Sequence, residues 1–320
     1  MLIGTAPAAE SAKPSSQGSQ CLVYVGTYTG AKSKGIYACR LDMATGALTS
    51  LGLAGEATNP SFLSVHPNHR FLYAVGEVGS FEGKPSGSVD AFAINAESGK
   101  LTLLNRQPSV GASPCHLVVD RAGKTVLVAN YGGGSSTALS VREDGRLGEP
   151  TAFIQHTGSS ANPRRQEGPH AHGIYLDAAN RFAFVPDLGL DKVLVFRFDA
   201  TKGSLVPNDP PAASVKSGSG PRHFAIHPNG RSAYVINEMV CTVTAFSLNS
   251  ERGGLKEIQT LSTLPDGEAV QPGYSTAELF VHSSGKFLYG SNRGHHSIVG
   301  YAIDEKSGKL TRLENVSTQG

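Results

Sequence analysis

The sequence predicts an all-β fold of the β-propeller class, and three features that recur in phase support this prediction. First, a short apolar segment returns about every 50 residues. Second, a Pro-containing segment precedes nearly every copy. Third, an alternating apolar and polar segment follows each copy and leads into a turn with glycine. A period of this length is typical of repeat architectures in which each unit contributes one small sheet.

The apolar segment is typical of a buried strand, because it is short, apolar and rich in residues that favour strands. We name it strand b of each repeat. Its six copies are VYVGTY, LYAVGE, VLVANY, FAFVPD, AYVINE and LYGSNR, which end at Tyr28, Glu77, Tyr131, Asp187, Glu238 and Arg293. The preceding segment is strand a, and its five copies begin at Pro60, Pro114, Pro169, Pro221 and Thr276.

Strands c and d complete the repeat. Strand c is an alternating segment, as in residues 88–95 and 192–199, and alternation predicts one packed and one more exposed face. A glycine and a leucine follow it, and the glycine would supply the positive φ of a tight hairpin to strand d. These glycines are Gly46, Gly99, Gly145, Gly203, Gly254 and Gly308.

Stacking such sheets around an axis would bury their faces, with strand a beside a central channel. Five copies of strand a are present, against six each of strands b, c and d. We therefore expect a seven-bladed β-propeller truncated at the C-terminus, with its last blade and closing strand missing. A six-bladed ring with an open seam is the alternative. Residues 21–320 are expected to form a single propeller domain.

The composition argues against several classes of partner. The net charge is only +2, so no overall basic field attracts nucleic acid. No apolar stretch is long enough for a transmembrane helix, so no membrane insertion is expected. The four cysteines lack metal-site spacing and are expected to be buried free thiols. The protein is expected to be a monomer.

Residues 1–20 are rich in Ala, Ser and Pro and have no strand pattern. We interpret them as a disordered leader or a partial export signal, since the basic start and full apolar core of such a signal are missing. A cytoplasmic location is therefore expected. A periplasmic or secreted location is the alternative if the segment is the remnant of an export signal.

Polar side chains gather at the start of strand a and the end of strand b. Because these strands are antiparallel, both positions fall at one face of the disc, around the mouth of the channel. The candidates are Glu77, His116, His170, His172, Asp187, Arg222, His223, Glu238, Glu278 and Arg293. Arginines beside histidines and carboxylates favour a site that binds an anion and transfers protons. A purely structural polar network is the alternative.

Six ordered motifs resemble the family of seven-bladed β-propeller lactonases, which includes bacterial 6-phosphogluconolactonases and fungal carboxy-cis,cis-muconate lactonising enzymes. The resemblance covers most of the sequence, from about residue 22 to about residue 314. The motifs are YVGTYT, GPHAHG, PDLGLDKV, GPRHFAIHPNG, INE and FLYGSNRGHHSI.

The resemblance implies a catalytic site with one histidine, two arginines and one glutamate. By motif these residues are His170, Arg222, Glu238 and Arg293. The two arginines would bind the phosphate or carboxylate of the substrate. The histidine and the glutamate would transfer protons, and which of them is the base is left open. The residues expected to assist substrate binding are His172, His223, Glu77, Asp187 and Glu278.

The activity implied is hydrolysis of a small anionic lactone, with 6-phospho-D-glucono-1,5-lactone as the expected substrate and no cofactor or metal. One alternative is a cycloisomerase that closes a muconate to a lactone. Another is a non-catalytic propeller that binds proteins. A zinc site is disfavoured, because its candidate histidines lie in different repeats and have no matched carboxylate. Those histidines are His170, His172, His295 and His296.

Overall fold

Residues 20–319 fold into six antiparallel sheets, the blades of a β-propeller. The computed structural model describes residues 20–319, and every helix or strand assigned in this range is a β-strand. The sheets follow one another along the chain, and each packs against the next. This arrangement confirms the all-β propeller prediction.

The 23 strands are assigned to blades in chain order. Blade 1 contains β1 (Gln20–Gly26), β2 (Gly35–Asp42) and β3 (Leu48–Glu56). Blade 2 contains β4 (Leu63–Val65), β5 (Phe71–Gly76), β6 (Ser88–Ile94) and β7 (Leu101–Pro108). Blade 3 contains β8 (Pro114–Val119), β9 (Thr125–Asn130), β10 (Ser135–Val141) and β11 (Leu147–Gln155). Blade 4 contains β12 (Tyr175–Leu176), β13 (Phe182–Asp187), β14 (Lys192–Asp199) and β15 (Ser204–Ser214). Blade 5 contains β16 (Pro221–Ile226), β17 (Ser232–Asn237), β18 (Thr242–Asn249) and β19 (Gly254–Ser262). Blade 6 contains β20 (Ser275–Val281), β21 (Phe287–Arg293), β22 (Ser297–Ile303) and β23 (Leu310–Ser317).

Within each four-stranded blade the strands pair in the order a, b, c, d, and blade 1 has only strands b, c and d. The predicted strand inventory is therefore confirmed for residues 20–319. Strand b is the most deeply buried element, and in blades 2 to 5 all six of its residues are buried. A strand covered on both faces reads as a continuous apolar run, which explains why strand b gave the clearest repeat in the sequence.

The hydrophobic core lies between successive blades. Between blades 2 and 3, for example, Tyr73 and Val75 of one sheet pack with Leu117 and Val128 of the next. Equivalent clusters join every other successive pair from blade 1 to blade 6. Each blade is thus stabilised by apolar surface that its neighbours remove from water.

The hairpins between strands c and d contain positive-φ glycines, as the sequence predicted for five of the six blades. In blade 5 the prediction of Gly254 is wrong. The positive φ, +69°, belongs to Gly253, while Gly254 begins β19. The amide of Gly253 donates to the carbonyl of Asn249 at 2.8 Å, which closes the turn one residue earlier than the sequence pattern indicated.

The first strand includes Gln20, one residue before the predicted start of the propeller domain. The rest of the predicted leader lies outside the described residues. The four cysteines are free as predicted, but only Cys241 is buried. Cys39 and Cys115 are half-buried, and Cys21 is exposed because it lies on the edge strand of blade 1. No helix within residues 20–319 is long and apolar enough to cross a membrane.

Candidate active site

A polar cavity of about 600 Å³ opens where the strands a begin and the strands b end. It lies at the face of the disc that the sequence predicted. Seven of the predicted site residues line it, namely Glu77, His172, Arg222, His223, Glu238, Glu278 and Arg293. Further lining side chains are Tyr28, Ser61, Phe62, Cys115, Tyr131 and Arg165.

The carboxylate of Glu238 holds three guanidinium groups together at one wall of this cavity. Arg165 Nη2 donates to Oε1 at 2.8 Å. Arg222 Nε and Arg293 Nη2 approach Oε2 at 3.2 and 3.1 Å. The hairpin of β16 and β17 brings Arg222 and Glu238 face to face across blade 5, as predicted from their positions. We call these three arginines and Glu238 the cationic wall.

Two opposing effects determine the ionisation of Glu238. Burial by itself would raise its pKa, but the hydrogen bond from Arg165 and the charges of Arg293 and Arg222 together lower the pKa below its ordinary value. The carboxylate is therefore ionised at neutral pH. Three arginines against one carboxylate leave the wall with a net charge of +2, which suits an anionic ligand.

Two further carboxylates, Glu77 and Glu278, line the same cavity. Glu278 Oε1 accepts hydrogen bonds from His223 Nδ1 at 2.9 Å and from the Leu279 amide at 2.8 Å. Burial raises the pKa of Glu278, partly offset by the Leu279 amide and by nearby cations. Glu77 accepts hydrogen bonds from Tyr28 at 2.9 Å and from Ser61. The cavity thus contains carboxylates in two different electrostatic settings.

His223 connects the cationic wall to Glu278. Its Nε2 lies 3.2 Å from Arg222 Nη1, and because arginine can only donate, this nitrogen must accept. The proton of the neutral ring is therefore on Nδ1 and points to Glu278. Burial, followed by the charge of Arg222, lowers the pKa of both His223 and His172 well below the usual value. Both rings are neutral at pH 7.

His172 lies against the cationic wall, with Nε2 3.8 Å from Glu238 Oε2. Its other nitrogen, Nδ1, lies 3.6 Å from the sulfur of Cys115. Burial, with a smaller contribution from Glu77, raises the pKa of this thiol. Because the nucleophilic form of cysteine is the thiolate, a protonated Cys115 does not favour a covalent thioester route.

The structure does not bring His170 into the cavity. Its ring stacks on Tyr131 with centroids 4.7 Å apart, and its Nδ1 lies 3.0 Å from the Tyr131 carbonyl oxygen. The Nε2 atom faces Glu167 at 3.4 Å, away from the cationic wall. The expected role of His170 in proton transfer therefore conflicts with this geometry, because Tyr131 stands between its ring and the site. His172, two residues later, occupies the expected place.

Asp187 is also absent from the cavity, so its expected contact with substrate is not supported by this geometry. It is completely buried and accepts hydrogen bonds from His156 Nδ1 at 2.8 Å and from the amides of His170 and Gly189 at 2.7 and 3.0 Å. His156 Nε2 in turn lies 3.1 Å from the hydroxyl of Ser136. These contacts join blades 3 and 4 and turn the carboxylate away from the channel.

His116 is not among the residues that line the cavity. Its ring packs between Phe62 and Tyr175, with centroid distances of 4.0 and 4.6 Å. Burial, helped by the neighbouring His223, lowers its pKa well below the usual value. His116 is therefore a neutral packing element.

Sequence reasoning missed Arg165, although it makes the shortest contact with Glu238. Arg165 lies in the long connection between β11 and β12, which has no counterpart position in the repeat. The one available signal was the unusual length of this connection. Tyr28 and Tyr131 were also missed, although both occupy the last position of strand b, where the other site residues were found.

No group of three or more His, Cys, Asp and Glu side chains within residues 20–319 is placed to hold a metal ion. The histidines considered for zinc have separate partners. His295 Nε2 faces Glu268 at 3.5 Å, whereas His172 faces Glu238.

Fold and site together define a β-propeller protein with an arginine-rich pocket at one end of its axis. A family model described as "Lactonase, 7-bladed beta-propeller" matches residues 22–320. The chain belongs to this family.

Several relatives have names that indicate an activity. The 6-phosphogluconolactonase of Bacillus subtilis is 37% identical over 93% of this chain and 82% of its own length. That of Formosa agariphila is 34% identical over 93% of this chain and 83% of its own length. The solved structure of a periplasmic gluconolactonase from Pseudomonas aeruginosa has a TM-score of 0.87 and 30% identity, covering 94% of this chain and 84% of that one.

Proposed function

We propose that this protein hydrolyses a phosphorylated sugar lactone, with 6-phospho-D-glucono-1,5-lactone as substrate and 6-phosphogluconate as product. The observation that carries the proposal is the cationic wall, in which three arginines share one carboxylate beside a cavity large enough for a sugar lactone. The names of the relatives support the same activity.

The phosphate would bind to the arginines of the cationic wall. Arg165 and Arg293 are 44% and 47% exposed, so their remaining N–H groups are free to turn toward a ligand. A guanidinium offers paired donors that match the oxygens of a phosphate. In this proposal Glu238 positions the arginines, and its lowered pKa makes it a weak proton acceptor.

The sugar ring would extend from the cationic wall toward the carboxylates of Glu77 and Glu278, and Glu77 can accept hydrogen bonds from its hydroxyl groups. The neutral ring of His172 lies between the wall and the cavity and would contact the substrate in the place expected for His170. Water would attack the lactone carbonyl directly, without a covalent intermediate.

The purified protein should accelerate formation of 6-phosphogluconate well above the spontaneous rate. The assay should compare the phosphorylated lactone with unphosphorylated glucono-1,5-lactone, and a parallel assay should follow the absorbance of carboxymuconate. An unchanged rate for both lactones would show that the proposal is wrong. Conversion of carboxymuconate alone would identify a cycloisomerase instead.

Substituting Arg293 tests the role of the cationic wall. Arg293→Gln removes a charge while its amide can still donate to the Thr276 carbonyl that Arg293 now contacts at 2.8 Å. A charge-assisted hydrogen bond contributes about 1.5–3 kcal/mol, so KM for the phosphorylated lactone should rise about 10- to 100-fold. KM for the unphosphorylated lactone should change much less. Equal changes for both substrates would contradict the assignment of the phosphate to this wall.

Three expectations from the sequence stay predictions: a seven-bladed propeller truncated at its C-terminus, the monomeric state and the cytoplasmic location. Residues 20–319 form six sheets, whereas the family is described as seven-bladed. The Pseudomonas aeruginosa relative is named as a periplasmic enzyme, which supports keeping the periplasmic alternative.

A further inference from the structure

We propose that Glu278 is the general base that activates water in this cavity, with His223 as the residue that positions it. The proposal deepens the function proposed above and rests on it. Glu278 is not one of the four catalytic residues that the family resemblance implies. In this proposal Glu278 transfers the proton, while the arginines held by Glu238 bind the anionic group of the substrate.

The surroundings of Glu238 make it a poor base. Its Oε1 accepts from Arg165, and its Oε2 is shared by Arg222 and Arg293. A water molecule would have to compete with these charged donors for the same lone pairs. The cations also stabilise the ionised form, so protonation of this carboxylate is disfavoured.

The surroundings of Glu278 are different. Its Oε1 is held by His223 and by the Leu279 amide, whereas Oε2 has no hydrogen-bond partner within residues 20–319. The side chain is 54% exposed and lines the cavity. One oxygen therefore fixes the carboxylate while the other remains available for water. Geometry of this kind, with an anchored carboxylate and a free oxygen, is what general base catalysis requires.

A chain of hydrogen bonds fixes this orientation. Glu238 binds Arg222, Arg222 donates to His223 Nε2, and His223 Nδ1 donates to Glu278 Oε1. Because Arg222 cannot accept, the neutral ring keeps its proton on Nδ1. Anion binding and base positioning are thereby linked through one histidine, which crosses from blade 5 to blade 6.

The charged groups around Glu278 also bear on its ionisation. Although the side chain is 54% exposed, the protein packed around it raises the pKa of Glu278, and the Leu279 amide and the charge of Arg222 offset part of this effect. Glu77 lines the same cavity and adds a second negative charge. A carboxylate whose pKa is raised is a stronger base than one whose pKa is lowered, as that of Glu238 is.

The reaction balances with water as the only co-reactant. Glu278 Oε2 takes a proton from water as the water oxygen bonds to the lactone carbonyl carbon, and the carbonyl electron pair moves to its oxygen. When the electron pair on the former carbonyl oxygen re-forms the C=O bond, the C–O bond of the lactone ring breaks. The leaving oxygen takes the proton from Glu278. The product acid then loses its own proton to solvent, and Glu278 is again a carboxylate.

The test is Glu278→Gln, measured with 6-phospho-D-glucono-1,5-lactone at pH 5 to 7, with the spontaneous rate subtracted. General base catalysis typically contributes about 10²- to 10⁴-fold, so kcat should fall by that factor while KM changes little. In the parent, kcat should rise with pH as Glu278 ionises, and this acidic limb should disappear in the variant. Glu278→Ala should regain part of its kcat when formate is added.

Glu167→Gln is the matched control, because Glu167 lies on the same face but does not line the cavity. It should keep the parent kcat and the parent pH profile. If the parent is active and Glu278→Gln retains the parent kcat, Glu278 is not the base. The assignment is also wrong if the acidic limb persists in Glu278→Gln and disappears in Glu77→Gln. A parent that hydrolyses neither lactone overturns the proposed function and this inference with it.

Discussion

Asp187 of blade 4 and Glu238 of blade 5 lie one position apart in the repeat, and their side chains have different roles. Asp187 pairs with Lys192 as Asn237 pairs with Thr242, so Asp187 corresponds to Asn237, and Leu188 corresponds to Glu238. Glu238 faces the cavity and holds three arginines, whereas Asp187 is buried and holds His156 between two blades. A shift of one position at the end of strand b therefore decides whether a polar side chain faces the cavity or packs between blades.

Asn237 is the blade 5 counterpart of Asp187. Its amide bonds the hydroxyls of Thr242 and Thr244 inside the blade, whereas Asp187 bonds His156 and two backbone amides. The blade 4 counterpart of Glu238 is Leu188, which is completely buried and does not line the cavity. Blade 4 therefore has no charged side chain at this place, and Arg165 reaches the cavity from the connection before β12.

The largest effects should come from exchanging the two acids for their amides. Asp187→Asn places an NH2 group against the donor Nδ1 of His156 in a completely buried site. A buried donor without a partner is costly, so we expect a loss of about 3 kcal/mol in the free energy of unfolding. Activity per folded molecule should stay close to the parent, because Asp187 does not reach the cavity. Urea unfolding and kcat of the folded fraction measure the two quantities.

Glu238→Gln should show the opposite pattern. Its NH2 group would face guanidinium groups that can only donate, so the cationic wall should loosen and kcat/KM should fall about 10- to 100-fold. The free energy of unfolding should change by less than about 1 kcal/mol, since two of the arginines can turn to solvent. The comparison fails if both variants lose stability equally, or if Asp187→Asn loses activity per folded molecule.

A smaller effect on activity is expected at Arg165. This residue supplies a charged side chain to the cavity where strand b of blade 4 supplies none. Arg165→Gln should raise KM for the phosphorylated lactone about tenfold, because one of three guanidinium groups is lost. Arg164→Gln is the matched control, since Arg164 is the adjacent residue but lines a different depression. If the two variants raise KM equally, Arg165 acts only through the overall charge of the loop.

The smallest effect concerns His116, a buried ring that has no carboxylate partner of the kind that His156 has. Its lowered folded pKa means that the unfolded chain takes up a proton as pH falls below about 6.5, while the folded protein does not. Stability present above that pH should therefore be lost on acidification. The contribution is at most about 1.4 kcal/mol per pH unit.

His116→Gln should remove this contribution, because glutamine does not titrate. The free energy of unfolding should therefore differ less between pH 7 and pH 5.5 in the variant than in the parent, as measured by urea titration at both values. Identical differences in the two proteins would show that His116 is protonated in the folded state as readily as in the unfolded chain.

The sequence predicted the blades better than it predicted the directions of individual side chains. The strands of all six units and the face that bears the site followed from periodicity, because burial on both sides of strand b demands a continuous apolar run in every copy. The choice of His170 over His172 was different. Two histidines in Pro-His-Ala-His are equivalent by motif, and only the ring of Tyr131 between His170 and the cavity separates them.

The sequence by itself determined the repeat, the all-β class and the convergence of arginines, histidines and carboxylates at one end of the channel. These depend on local periodicity and on antiparallel pairing, both of which can be read from spacing. The tertiary structure alone decided that Asp187 joins two blades, that Arg165 reaches Glu238 and that Glu278 keeps one oxygen free. Each of these depends on contacts between residues distant in sequence, so their directions and electrostatic surroundings are set only when the blades pack together.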